Sequence, residues 1–456
     1  MQQQIDENQH KPSVRIALAG NTKCGKTTLL GVLTKGMCDD GKGSLRDIMV
    51  NYAHEIKKGG QTESIVFELI GFDKDGKQIL SNEQPTNKSQ YQSQVFQQSN
   101  SYLYLIDLCG DNKYFKHSIS AINKCLFNLI IIVIAVDEGI TRITVECLLI
   151  CQLYKIPFII VLTKCDLLKN KEDKDKIIFK IHNQVSNNFL YRKLVIAKDP
   201  KECANLMNQR LKKYENQKGL ICPLFEVNNI NREGIDSLLQ FLFHFKNQDH
   251  LYQEIKSPDQ PFQMDVFYTC NVKNIGEIPF GLIKSGTVKL DQIVSVGLDE
   301  NKQIQCAKVI SIQNVRTSLT QARSGEIVCL ILQPMIQQQI IDFAKIKIIA
   351  DPKINIPYVK SFWANISILP GPTTVTIGFK PILELSNITQ QVNLQEIIGD
   401  TQFLKSGDCA LIKLQFLDDA YQPVYENQQF ILRSSHSIAY GQVVNVSQQD
   451  LINDEQ

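Results

Sequence analysis

Three observations predict an α/β domain with a mainly parallel sheet, followed by two all-β barrel domains. From Val14 to about Phe245, short β-branched runs alternate with longer amphipathic stretches. The short runs are apolar on both faces, as strands are when helices cover both sides of a parallel sheet. Beyond a polar linker, the chain changes to short alternating runs punctuated by Gly, Pro, Asn and Asp, the pattern of antiparallel barrels. A length of 456 residues accommodates several such domains.

The elements follow in order. Residues 1–12 are polar and rich in Gln and Asn, and read as a disordered tail. Within residues 13–246, VRIALAG, YLYLIDLCG, NLIIIVIAVD and PFIIVLTKCD read as buried strands, with CPLFEVNN as a further one. TRITVECLLICQLYK and GIDSLLQFLFHF read as amphipathic helices. Gln84–Asn100 is rich in Gln, Ser and Asn and reads as an exposed loop, and Asn170–Lys176 as a solvated loop or helix start. Residues 247–261, containing SPDQP, form the linker. GTVKLDQIVSV and GEIVCLIL belong to a first barrel at 262–350. TTVTIGF and DCALIKLQF belong to a second at 351–449, and 450–456 is a tail.

Composition narrows the function classes. Hydrophobic residues make up 43% and charged residues 21%, which excludes a wholly disordered or collagen-like chain. The net charge of +2 gives no whole-chain case for a nucleic-acid or membrane binder driven by electrostatics. Thirteen cysteines are scattered without a CxxC pair, and the opening MQQQIDENQH carries no apolar signal region. A reduced, cytoplasmic protein without membrane attachment is expected.

The first strand runs into Gly20-Asn21-Thr22-Lys23-Cys24-Gly25-Lys26-Thr27, with Thr28 following, and then a helical pattern. GxxxxGK[ST] between a strand and a helix is a phosphate loop. Its backbone N–H groups cradle phosphates, Lys26 reaches the β/γ-phosphates and Thr27 ligates Mg²⁺. Cys24, at a helix start beside Lys23 and Lys26, has surroundings that favour a thiolate, although a small apolar filler is the better reading.

Asp107-Leu108-Cys109-Gly110 then supplies a DxxG, with Asp107 on the Mg²⁺ side and the Gly110 N–H facing a γ-phosphate. Thr163-Lys164-Cys165-Asp166 ends another strand. Its carboxylate suits the two N–H donors of a guanine edge, and its Lys stem suits stacking on the base. Asn228-Asn229 offers a backbone N–H for the guanine O6, and Thr62 in GGQTES suits a threonine that closes over Mg²⁺ and the γ-phosphate. The order predicts GTP with Mg²⁺ rather than ATP.

These stretches resemble a translational GTPase of the elongation factor Tu type and, within that family, the eukaryotic GTP-binding protein 1 and 2 branch. The resemblance rests on GNTKCGKTTLLGVLTKGMCDDGKGSLRD, HEIKKGGQTESIVFELIGFD, IDLCGDNKYFKHS and CPLFEVNNINREGID, and it extends into the barrels through LKSGDCALIKLQF and FILRSSHSIAYGQVV. It implies GTP hydrolysis in contact with the ribosome and aminoacyl-tRNA, and related members are linked to resolving stalled ribosomes.

The departures from the family pattern cluster where hydrolysis happens. Asp111 stands where the family has a water-orienting His, and a carboxylate near a triphosphate is disfavoured by like charge. Lys23 stands where the family has an Asp associated with a monovalent cation, and its ammonium is expected to take that cation's place. Gln61 replaces the usual Arg before the switch threonine. Ser434-Ser435-His436 replaces a Glu-Gly-Arg-like turn near the tRNA-facing side, with Arg433 kept. The catalytic set is therefore Lys23, Lys26, Thr62, Gly110 and Asp111, and slow intrinsic hydrolysis is expected. The alternative is a nucleotide-gated binding module with vestigial hydrolysis.

Overall fold

The computed structural model describes residues 14–49, 66–80, 88–111, 113, 115–167, 171–188, 193–212, 221–245, 255–272, 276–315, 317–336, 341–369, 374–399, 403–417, 420–434 and 437–446. The expected tails at 1–12 and 450–456, together with Gln61, Thr62, Ser435 and His436, lie outside the described residues.

The first domain is one sheet of β1 (Val14–Ala19), β2 (Val66–Phe72), β3 (Gln78–Ile79), β4 (Ser101–Asp107), β5 (Leu129–Ala135), β6 (Phe158–Thr163), β7 (Lys193–Ile196) and β8 (Ile221–Glu226). The strand order is 3-2-4-1-5-6-8-7. From β4 across to β7 every pairing is parallel, while β2 and β3 extend one edge in antiparallel fashion.

Strand β5 shows why the central runs are apolar throughout. Ile130, Ile132 and Ile134 pack with Ile122 and Leu148 on one face, and Leu129, Ile131 and Val133 with Leu29, Leu33 and Phe241 on the other. The pleat sends successive side chains to opposite faces, so a strand covered on both sides admits no polar alternation.

The helices are α1 (Lys26–Lys35), α2 (Ser44–Met49), α3 (Lys88–Gln98), α4 (Phe115–Cys125), α5 (Arg142–Leu153), α6 (Lys171–Asn188), α7 (Pro200–Lys212) and α8 (Ile235–His244). Thr141 caps α5, accepting from the Thr144 N–H. Helix α3 corrects the reading of Gln84–Asn100 as an exposed loop. Tyr91, Val95 and Phe96 fall on one helical face and are buried, and the Tyr91 hydroxyl donates to the Thr34 carbonyl at 2.8 Å. Three apolar anchors at helical spacing outweigh a polar average composition.

Both barrels close. In the first, Ile293–Leu298, Ile348–Ala350, Gln263–Val272, Gly276–Ser285, Ile327–Pro334 and Ile304–Asn314 follow in sequence, and the last pairs back onto the first. In the second, Ser361–Ile368, Cys409–Phe416, Ile388–Ile398, Ile382–Leu385, Gln429–Arg433 and Ser437–Asn445 form a closed ring. Closure removes the exposed edges that short strands otherwise present.

Polar contacts, several of them buried, join the three domains. Arg15 on β1 is fully buried; its Nε donates to the Leu126 carbonyl at 3.1 Å and its Nη1 to Gly325 of the first barrel at 3.3 Å. The Tyr104 hydroxyl bonds Asn314 Oδ1 at 2.5 Å. Helix α4 meets the second barrel, with Asn123 Nδ2 donating to the Glu384 carbonyl at 3.2 Å and Ser120 Oγ lying 3.1 Å from Thr389 Oγ1. Ser386 Oγ donates to Asp265 Oδ2 at 3.1 Å, joining the barrels to each other. Among the described residues, no helix is long and apolar enough to cross a membrane.

Candidate functional site

The parallel sheet brings the loops after β1, β4, β6 and β8 to its carboxyl edge, where open α/β sheets bind ligands. Gly20 leaves β1 with φ 147°, and a Cβ there would collide with the Val133 carbonyl oxygen. Lys23 and Gly25 also take positive φ, 62° and 91°, which turns the loop into the start of α1.

Lys26 Nζ lies across this loop, donating to the carbonyls of Asn21 at 2.7 Å and Gly20 at 3.0 Å. Thr27 Oγ1 donates to Asp107 Oδ2 at 2.5 Å, and Asp107 is fully buried. The loop after β4 packs directly on the loop after β1. A Cβ at Gly110 would run into Lys26 Nζ and fall 2.8 Å from the Asn21 carbonyl carbon, so only glycine fits that approach.

The loops after β6 and β8 close on the same region. Thr163 Oγ1 donates to the Cys24 carbonyl at 2.6 Å, tying the end of β6 to the phosphate loop. Lys164 follows with φ 58°, and Asp166 is exposed on a short helical turn, Cys165–Leu167. Asn228 is buried; its backbone N–H donates to the Glu233 carbonyl at 2.9 Å and its Oδ1 accepts from the Ile230 N–H at 2.8 Å. The Asn229 carbonyl accepts from the Asp39 N–H at 2.9 Å. Asn229 Oδ1 is buried and, among the described residues, has no hydrogen-bond partner.

The structure therefore brings Gly20, Asn21, Cys24, Gly25, Lys26, Thr27, Asp107, Gly110, Thr163 and Asn229 into mutual contact. Thr22 and Thr28 share the loop and the first turn of α1, and Lys23 is exposed on that loop. Asp111 turns back on its own chain, with Oδ1 accepting from the Lys113 N–H at 2.8 Å ahead of α4.

Cys24 is a correction to the thiolate reading. It is buried, and loss of hydration pushes its thiol up, which outweighs the opposing pull of Lys26 beside it. Cys147 and Cys151 are also buried, and burial pushes Cys147 up to about 12. Among the described residues, no group of His, Cys, Asp and Glu side chains is placed to hold a metal by itself.

Residues 11–248 match the family described as the elongation factor Tu GTP binding domain. The chain belongs to this family. The elongation factor Tu-type chain is 24% identical over 440 residues to GTP-binding protein 1 of Xenopus laevis, covering 95% of this chain and 64% of that protein. It is 26% identical over 419 residues to GTP-binding protein 2 of Homo sapiens, covering 91% and 66%. It thus spans just under two thirds of those relatives. The fold of the Ski7 GTPase-like domain of S. cerevisiae, solved bound to GTP, is similar at a TM-score of 0.67 and 15% identity, covering 96% of this chain and 99% of that one. The selenocysteine-specific elongation factor EF-Sec from a bacterium gives 0.60 at 18% identity, covering 95% and 58%.

Residues outside the family's motifs also hold the site. Asp137 accepts from Lys164 Nζ at 2.9 Å and Glu138 from Asn21 Nδ2 at 2.9 Å. In the sequence Asp137 reads as the last residue of a strand and Glu138 as the residue after it. Their spacing from Asn21 and Lys164 carries no local periodicity, so only the sheet order reveals the contacts.

Proposed function

We propose that this protein binds GTP with Mg²⁺ and hydrolyses it slowly, as a translation elongation-factor-like GTPase acting with the ribosome. The observation that carries the reading is the convergence of the loops after β1, β4, β6 and β8 on one edge of the sheet, with α4 leading from Gly110 to the second barrel. Lys26 and the loop amides would hold the β- and γ-phosphates, and Asp166 with the Asn229 N–H would read the guanine edge.

The Thr27 hydroxyl and Asp107 carboxylate, 2.5 Å apart and buried, are hard oxygen donors of the kind Mg²⁺ takes, so the pair fits that ion. Thr62 is proposed as the third member of that set. The bound ion would neutralise charge on the phosphate oxygens. Gly110 is proposed to sense the γ-phosphate and to pass its presence through α4 to Asn123 and Ser120, which touch the second barrel.

Asp111 is the weak point of the chemistry. Its carboxylate serves its own turn, and a negative group suits neither a triphosphate nor an attacking hydroxide. Loss of a positioned acid–base group costs about 10²–10⁴-fold. In single-turnover hydrolysis with ribosomes, Asp111→His is expected to exceed the native rate by about 10²-fold or more. Tight GTP binding with neither form responding to ribosomes would remove the ribosome from this reading. No gain over a slow native rate would support the alternative of a nucleotide-gated binding module.

Lys23 is proposed to supply positive charge beside the phosphates. Native hydrolysis is therefore expected to be the same in K⁺ and in K⁺-free buffer, while Lys23→Asp makes it K⁺-dependent. A K⁺-dependent native rate would refute this role.

Aminoacyl-tRNA is a proposed partner on the family pattern. Arg433, kept at the position the pattern places near tRNA, lies 5% exposed inside the second barrel and is bonded to Glu384. Any tRNA contact there would need groups other than this guanidinium.

A further inference from the structure

We propose that the turn Asp137-Glu138-Gly139 is a clamp that sets how long the nucleotide stays bound, with Asp137 and Glu138 as its two positioning residues. The proposal rests on the guanine-nucleotide reading of the site and adds to it a determinant of release.

The sheet order makes this turn unusual. Strand β5 lies between β1 and β6, with Ala19 paired to Ile132 on one side and Ala135 to Thr163 on the other. The chain leaving β5 is therefore flanked by the phosphate loop and by the base loop. Consecutive acidic residues reach one each. Asp137 holds the Lys164 ammonium through both carboxylate oxygens, at 2.9 and 3.3 Å, and Glu138 Oε2 accepts from Asn21 Nδ2 at 2.9 Å.

The turn itself is closed by its backbone. The N–H groups of Glu138 and Gly139 both donate to the Ala135 carbonyl, at 3.2 and 2.9 Å, and Gly139 takes φ 69°. A short braced turn transmits position better than a free loop, because little backbone freedom is left to absorb a displacement.

Each contact acts on a group the nucleotide needs. Asn21 belongs to the phosphate loop, and its carbonyl also accepts from Lys26 Nζ at 2.7 Å. Lys164 carries the stem proposed to lie on the base, and its ammonium is fixed by Asp137. With both bonds made, the two loops are spaced by one rigid piece. With either broken, that loop moves away from the nucleotide independently.

Charge alone makes the opposite prediction. A carboxylate beside bound phosphates repels them, so removing Glu138 would then slow release. The two accounts are separated by the sign of the effect.

The test is the dissociation rate of a fluorescent GDP analogue from the full chain, measured by stopped flow with unlabelled GDP as the chase. Asn21→Ala and Glu138→Ala are each expected to speed release about fivefold, the effect of one charge-assisted hydrogen bond at an exposed site. The double variant is expected to be no faster than either single one, because both remove the same bond. Glu138→Gln, which keeps an acceptor oxygen but not the charge, is expected to fall between native and Glu138→Ala, and Asp137→Ala to speed release through the other arm. Slower release from Glu138→Ala, or multiplying effects of Asn21→Ala and Glu138→Ala, would overturn the clamp while leaving the guanine site standing. Failure of the native chain to bind the analogue would overturn both.

Discussion

Arg433→Met is expected to destabilise the second barrel by about 3–5 kcal/mol, the cost of stranding a buried charge. Arg433 Nε and Nη2 both donate to Glu384 Oε1, at 2.8 and 2.5 Å, and Glu384 is fully buried. Its other oxygen accepts from Thr389 Oγ1 at 2.6 Å. Without the guanidinium, the fully buried carboxylate keeps one neutral hydrogen-bond donor, with the Lys124 ammonium as the remaining charge acting on it.

The pair with Glu384→Leu and Arg433→Met together is expected to recover most of the loss, since apolar side chains of similar volume often replace a buried ion pair without penalty. Urea denaturation followed by fluorescence reads this out. Trp363, the chain's one tryptophan, lies half-buried on the first strand of the same barrel. Equal losses in the single and double variants would show that the pair's charges are not what the barrel depends on. Because the Asn123 side chain bonds the backbone carbonyl of Glu384, the double variant is also expected to keep α4 docked.

Lys26→Ala is expected to lower GTP affinity by about 10²–10³-fold, as two charge-assisted hydrogen bonds to phosphate would be lost. The ammonium donates to the Gly20 and Asn21 carbonyls, which places it at the loop. Titration of a fluorescent GTP analogue checks this, with and without Mg²⁺. Asp107→Asn is expected to remove the Mg²⁺ dependence of binding in the same assay. An affinity unchanged by Lys26→Ala would mean that the loop does not hold the phosphates.

How much is legible in the sequence differs by element. The central strands are clear because residues such as Ile130–Ile132 are apolar without a break, a pattern that needs cover on both faces. The phosphate loop is clear because close backbone approach demands glycine at fixed spacing. Helix α3 is hidden because Tyr91, Val95 and Phe96 are diluted by glutamines, whose polarity masks the helical spacing of the three anchors. Strands β3 and β7 escape notice because two- and four-residue strands have too little length to show a period.

The sequence by itself determined the domain types and the glycine-bearing loops that the sheet brings to its carboxyl edge. Both depend on local rules, namely the strand and helix periods and the positive φ that glycine tolerates. Only the tertiary structure decided what Arg15, Asp137, Glu138, Glu384 and Arg433 do. Arg15 in VRIALAG is an arginine inside a buried strand, and nothing nearby in sequence explains it until Gly325 arrives from the first barrel to accept its hydrogen bond. Glu384 and Arg433 become an ion pair only when the barrel closes Ile382–Leu385 onto Gln429–Arg433. A buried charge is tolerable only with its partner in place, and those partners lie on other strands or in other domains.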